Sequence, residues 1–145
     1  MLGPLVLVAA ILLSPDDGQP LPLDSAFRVV VNQANPVSSL TRAELSAIFM
    51  RRRRSWADGT EIRPIDHRVG ALVRERFSRA VHGKSVAYVI RYWQRLIFAG
   101  RGIPPPEVQS AAAVMEAVRA NRGAIGYIDA ATPVSANLKV IEVTK

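Results

Sequence analysis

Few side chains in this sequence could carry out acid–base, nucleophilic or metal chemistry. Cysteine is absent and His67 and His82 are the two histidines, so thiolate nucleophiles and thiolate metal sites are excluded. Asp66 precedes His67, but chain neighbours rarely orient one another as a catalytic triad does. His82 stands beside Gly83 at a predicted helix end, where a cation suits the dipole. Without metal-ligand spacing or a glycine-rich phosphate loop, we expect no enzyme activity and no cofactor.

Arg51–Arg54 is the most concentrated run of charge. Three of the 12 acidic residues and none of the 19 Lys and Arg lie in the first 26 residues, so the remainder has nine acids and a net charge of +10. Such a surface attracts nucleic acid, anionic lipid or acidic partners. However, Trp56, Trp93 and Tyr127 are predicted to be core, and no DNA-reading helix is evident. We therefore expect a solvated loop without nucleic-acid binding; the alternative is contact with anionic lipid or a protein partner.

The first 26 residues have the pattern of an export leader. Leu2–Leu13 is apolar, but it is shorter than the about 20 residues that span a bilayer, which suits a secretory signal peptide. No Lys or Arg precedes it, and the best cleavage site lies around Asp24–Ala26. The alternatives are a first strand or helix of the domain, or a misassigned start codon. We predict a leader and linker over 1–26, a folded domain over 27–145, and a periplasmic or secreted location, anchored if the leader stays uncleaved.

The remainder alternates strand and helix patterns. At 145 residues, 49% hydrophobic and 21% charged, the chain suits one globular domain. Runs rich in β-branched residues or bounded by turn signals predict four strands, at Phe27–Val31, Glu61–Asp66, Gly123–Ile128 and Leu138–Val143. Capping residues and apolar spacing predict four helices, which begin at Thr41, around Arg68 with Leu72 inside, at Ser85 and at Ser110. This alternation predicts an α/β domain with a mixed sheet flanked by helices.

Several segments, in this order, resemble the solute-binding component of phosphate ABC transporters and its small single-lobe relatives. They are VVNQANPVSSLTRAELSAIF (Val30–Phe49), WADG (Trp56–Gly59), Tyr92-Trp93, Phe98-x-Gly100, Pro105-Pro106 and GAIGY (Gly123–Tyr127). The resemblance covers nearly all of 27–143. It implies a single lobe of a type II periplasmic-binding-protein-like fold.

The same resemblance implies where a ligand would sit. In the full-length phosphate binders a Ser-Gly-Thr sequence opens the helix after the second strand and holds the anion with hydroxyls, backbone N–H groups and an arginine. Aligning this sequence on Gly70 puts Val69 and Ala71 in the hydroxyl positions, and aligning it on Phe77 puts Ala71, Leu72 and Val73 there. Both hydroxyls are missing in either alignment. The backbone donors remain, as at any helix start. The side chains that could still attract an anion there are His67, Arg68 and Arg74.

A second candidate is the loop after the first strand, Asn32–Ser39. Ligands of open α/β sheets bind at the carboxyl ends of strands, and Ser38 and Ser39 offer hydroxyls. The alternative is that these serines organise the turn before the Thr41 cap.

Two functions follow from these observations. The first is an exported, phosphate-type solute-binding-like domain with weak binding of an oxyanion such as phosphate, because one lobe cannot exclude water from the anion. The second is a non-catalytic interaction or adaptor module that has lost the ligand site and contacts a membrane or protein partner. Arg101–Pro106, a rigid proline-rich segment, would suit such a contact.

Overall fold

The computed structural model describes residues 26–145, so the predicted leader lies outside the described residues. Helices α1 to α4 are Arg42–Phe49, Leu72–Phe77, Val86–Phe98 and Ala111–Ala120, and a π-helical turn, Ser78–His82, continues α2. Strands β1 to β7 are Phe27–Asn32, Ser39–Thr41, Arg63–Pro64, Asp66–His67, Glu107–Val108, Ala124–Asp129 and Leu138–Thr144. This arrangement confirms the predicted α/β class.

A mixed five-stranded sheet organises the domain, in the order β2-β7-β1-β6-β3. β1 is antiparallel to both neighbours, pairing Val29 with Tyr127 of β6 and with Ile141 of β7. The outer strands β2 and β3 run parallel to β7 and β6, and β4 and β5 form a separate parallel pair. The strands β2, β3, β6 and β7 therefore run in the same direction, and their carboxyl ends point to the same end of the sheet.

The sheet is covered on both faces. Val29 and Val31 of β1 belong to the core cluster that includes α1 and the end of α2, whereas Val30 packs with Val114 and Val118 of α4. Because successive strand residues point to opposite faces, a strand covered on both faces needs the continuous apolar run seen in β1. No helix in residues 26–145 combines the length and apolar character needed to cross a bilayer.

Local signals placed three of the four helix starts correctly. Thr41 and Glu44 form a reciprocal capping box, and the side chains of Ser85 and Ser110 accept from backbone N–H groups in the first turns of α3 and α4. These contacts satisfy donors that a helix start leaves unpaired.

The prediction for the second helix was wrong in two respects. α2 begins at Leu72, not around Arg68, because Gly70 turns the chain with φ +89° and Ala71 precedes the helix in an extended conformation. Leu72 was expected inside but is exposed. The predicted strand Glu61–Asp66 is also divided, into β3 and β4.

Two glycines of the GAIGY segment permit close packing. A Cβ at Gly123 would lie 2.0 Å from the carbonyl oxygen of Glu61, and one at Gly126 would lie 2.5 Å from Cγ1 of Val114. The aromatic residues predicted as core, Trp56, Trp93 and Tyr127, are all buried.

Candidate functional site

A buried polar cluster lies where β4 passes the end of β6. The Asp66 carboxylate accepts hydrogen bonds from the Tyr127 hydroxyl, at very short range, and from the backbone N–H of His67 at 2.8 Å. Its other oxygen faces the Arg74 guanidinium at 3.5 Å. Three side chains from β4, α2 and β6 are thereby tied together inside the domain.

Arg74 is the centre of this cluster. Its Nη1 donates to the backbone carbonyl of His67 at 2.8 Å and to Oε1 of Glu107 at 2.9 Å. Its side chain is 8% exposed. A buried arginine requires such partners, because an unpaired charge in the interior is strongly unfavourable. Arg74 thus already has two carboxylates and a carbonyl.

His67 is equally enclosed. Its Nε2 lies 2.7 Å from the carbonyl oxygen of Tyr127, which can only accept, so this nitrogen carries the proton and donates. The imidazole also contacts the Tyr127 ring, at 4.9 Å between centroids. His67 therefore fixes β4 against β6.

Burial governs the protonation of this cluster. It raises the pKa of the Asp66 carboxyl above its ordinary value, and the Arg74 guanidinium opposes this only in part. It also raises the pKa of Tyr127, and the neighbouring Asp66 carboxylate adds to the increase. Tyr127 therefore keeps its hydroxyl proton and donates it to Asp66 when that carboxyl is ionised.

Of the four candidate ligand residues near the second helix, Arg68 and Gly70 are exposed, whereas His67 and Arg74 are buried. The Arg68 guanidinium folds back over the turn, with Nη1 3.7 Å from the position that a Cβ of Gly70 would occupy. Among residues 26–145, no carboxylate forms an ion pair with Arg68.

Ser38 and Ser39 are exposed. They lie at the start of β2, which is the outer strand on the opposite edge of the sheet from β3. Ser39 pairs with Glu142 of β7, and the Ser38 carbonyl accepts from the Glu142 backbone N–H at 3.0 Å. Three strands lie between β2 and β3. The four resulting inter-strand spacings of about 4.8 Å add up to ~19 Å along the sheet. The two predicted groups of ligand residues therefore do not converge, and their binding of a ligand stays a prediction.

Sequence reasoning missed three members of the polar cluster: Asp66 as a buried carboxylate, Glu107 and the Tyr127 hydroxyl. An acid that directly follows an apolar strand was a usable signal for Asp66. Nothing local marks Glu107 as the partner of Arg74, since 33 residues separate them.

The interpretation of His82 as a cationic helix cap was wrong. Its Nδ1 lies 2.8 Å from Oγ of Ser46, and its ring packs edge-on against Phe77. Burial, aided by the positive charges of Arg52 and Arg74, lowers the pKa of His82 to about 4. The imidazole is therefore neutral at pH 7. Gly83, in the left-handed region at φ 64°, ends the helix instead.

No group of three or more His, Cys, Asp or Glu within residues 26–145 is arranged to hold a metal ion. The buried cluster has one histidine, His67, and its Nε2 is hydrogen-bonded to a backbone carbonyl. The arrangement is suited to holding β4, α2 and β6 together.

The fold of the described residues is that of one lobe of a type II periplasmic binding protein: a curled mixed sheet between helices. Solved structures of phosphate-transport proteins share it. An ABC-type phosphate transport receptor from Vibrio cholerae aligns with a TM-score of 0.63 and 23% identity, covering 83% of this chain and 48% of that one. PstS from Borrelia burgdorferi aligns with a TM-score of 0.56 and 15% identity, covering 81% of this chain and 47% of that one.

The predicted resemblance to phosphate-type solute-binding proteins is thus confirmed in the fold. The chain spans about half the length of these two proteins. No protein-family model and no curated protein matches the sequence.

Proposed function

We propose that this chain is an exported, non-enzymatic interaction module with the solute-binding-protein fold, which contacts a partner instead of clasping an oxyanion. The shared fold of the phosphate-transport proteins supports the solute-binding origin. The signal-like pattern of Leu2–Leu13 supports export.

The observation that carries this proposal is the saturation of Arg74. A phosphate ion would have to displace Asp66 or Glu107 from the guanidinium, and the displaced carboxylate would remain close by. Two like charges 4 Å apart repel by about 4 kcal/mol at the effective dielectric of a protein surface. Arg74 is therefore unsuited to gripping an anion.

The surrounding loop offers little compensation. Arg68-Val69-Gly70-Ala71 contains no hydroxyl. Ser38 and Ser39 lie at the far side of the sheet. An anion at Arg68 would be exposed to water, where each contact contributes little.

Titration of the full chain with sodium phosphate, by calorimetry and by thermal unfolding, tests the proposal. We expect no saturable heat at phosphate concentrations up to about 1 mM, which corresponds to ~4 kcal/mol of binding free energy. Any rise in melting temperature should be matched by NaCl of equal ionic strength. Saturable binding below that concentration, competed by sulfate, would overturn the proposal.

One observation favours a second candidate, weak oxyanion binding at Arg68: its exposed guanidinium lies beside Gly70 without a carboxylate partner in the described chain. If this site exists, Arg68→Ala should abolish the phosphate-specific signal. Arg79→Ala is the matched control, because Arg79 is also exposed and lies at the other end of the same helical segment. Equal signals from both variants would exclude the candidate.

A further inference from the structure

The outward face of α3 carries two arginines flanked by two aromatic side chains. Tyr88, Arg91, Arg95 and Phe98 follow one another at intervals of three, four and three residues, which places them on one side of the helix. All four are exposed, whereas Val89 and Trp93 on the opposite side are buried. We refer to these four residues as the α3 outer stripe.

The chain around the stripe is basic and free of acids. From Arg76 to Pro106 there is no Asp or Glu. The basic residues in this interval are Arg76, Arg79, Lys84, Arg91, Arg95 and Arg101. Of these, only Arg76 forms an ion pair within residues 26–145, with Asp129. The positive charge of the stripe is therefore not neutralised by the domain itself.

Large apolar side chains are exposed beside this charge. Phe98 is 98% exposed, Ile97 is 52% exposed, and Ile103 of the proline-rich segment is 69% exposed. Ile97 and Phe98 line an open groove together with Arg91 and Arg95. Apolar side chains exposed together mark a contact surface more often than isolated ones do.

The fold also brings the arginine run to the same helix. The Arg52 guanidinium lies 5.6 Å from the centroid of the Tyr92 ring, and the Tyr92 hydroxyl donates to the Met50 carbonyl at 3.2 Å. At the start of the helix, Lys84 lies 4.9 Å from the centroid of the Tyr88 ring. Two basic segments distant in sequence thus border α3.

We propose that the α3 outer stripe docks this domain on an anionic lipid bilayer, an inference that rests on the proposed function and names its partner. Arginines at headgroup level and an aromatic side chain at the acyl boundary are the composition of interfacial helices. Each Lys or Arg that lies next to an anionic leaflet contributes about 1 kcal/mol to the free energy of membrane binding. The aliphatic residues Ile97 and Ile103 favour lipid over nucleic acid, because they cannot stack on bases as an aromatic ring does.

Since the chain has no cysteine, a single introduced thiol can report which face meets the membrane. Gln94→Cys places an environment-sensitive NBD fluorophore beside Phe98, and Ala112→Cys places it on α4, across the sheet. With vesicles containing about one quarter phosphatidylglycerol in phosphatidylcholine, the Gln94 label should shift to the blue and the Ala112 label should not. Pure phosphatidylcholine vesicles should leave both unchanged.

Vesicle sedimentation of the full chain measures the energetic contribution. Arg91→Ala with Arg95→Ala should lower the partition coefficient about 30-fold, two residues at ~1 kcal/mol each. Phe98→Ser should lower it about tenfold. Arg119→Ala with Arg122→Ala removes the same charge at the end of α4 and should have a much smaller effect. All variants share residues 1–25, so differences between them report on the folded surface.

Three outcomes would overturn the inference. Equal spectra from the two labels would mean that vesicles bind through another part of the chain, including the first 25 residues. Equal losses from the two double variants would mean adsorption by net charge alone. Binding to heparin or single-stranded DNA that falls with the arginines, while vesicle binding is unaffected by Phe98→Ser, would assign the stripe to a polyanion. None of these changes the phosphate titration, so the proposed function is judged separately.

Discussion

The burial of His82 makes the stability of this protein dependent on pH in a definable window. The pKa of His82 falls from 6.5 to about 4 on folding, because burial and the charges of Arg52 and Arg74 disfavour the imidazolium. The unfolded chain therefore takes up a proton at a higher pH than the folded chain. The stabilisation is complete above pH 6.5 and is lost as the pH falls toward 4.

The size of the effect follows from the shift. At about 1.4 kcal/mol per pKa unit, His82 withdraws ~3 kcal/mol of folding free energy between these two pH values. Domains of this size have a total stability of about 5–15 kcal/mol. The loss should consequently be visible as a large decrease in the urea midpoint.

His82→Asn is the appropriate comparison. Asparagine can place an amide near the position of Nδ1 and keep a hydrogen bond with Ser46, which lies 2.8 Å from that nitrogen, but it cannot take up a proton. Urea unfolding should be followed by tryptophan fluorescence at about pH 7.5, 6, 5 and 4. The wild type should lose about 3 kcal/mol more than the variant across this range.

Other groups affect both proteins equally. The pKa of Glu44 is lowered, chiefly by the backbone N–H of Thr41, so its contribution disappears only toward the acid end of the range, with or without His82. Parallel pH profiles for wild type and His82→Asn would refute the reasoning, since they would mean that the folded protein accepts a proton on His82 as readily as the unfolded chain.

Two further predictions concern packing and the polar cluster. Arg74→Met leaves the Asp66 and Glu107 carboxylates without their cation and should destabilise the fold by about 3–5 kcal/mol in urea unfolding. Adding Asp66→Asn should recover part of this loss. A loss below about 1 kcal/mol for Arg74→Met would contradict the role of Arg74 as the buried partner of these carboxylates. Gly126→Ala places a methyl group 2.5 Å from Val114 and should cost about 1–3 kcal/mol. Val114→Ala in that background should be less damaging than in the wild type; additive losses in thermal melts would count against the overlap.

The sequence predicted the elements whose causes are local. The Thr41–Glu44 capping box lies within one helical turn, and the β1 run of β-branched residues favours a buried strand in any context. Such signals depend on neighbours a few residues away, so they can be read without knowing the fold. The close approach at Gly123 and Gly126 was also foreseeable, because glycine admits neighbours that a side chain would exclude.

The candidate site was only partly predictable. His67 and Arg74 were predicted as ligand-binding residues, and that role stays a prediction. Their contacts inside the fold depend on Asp66, Glu107 and Tyr127, which come from separate parts of the chain. Whether an arginine is free to bind an anion depends on which carboxylates the fold brings to it. Because these carboxylates lie outside the helix that holds the arginine, the sequence alone does not show the pairing.

Three of the four helix starts, the main strands and the positive charge were thus determined by the sequence alone, through short-range sterics, capping and composition. Tertiary structure decided which charges are already paired and which apolar side chains remain exposed. The reason is that pairing and exposure depend on distances across the fold: Arg74 is buried and paired with two carboxylates, whereas Phe98, on the outward side of α3, is 98% exposed.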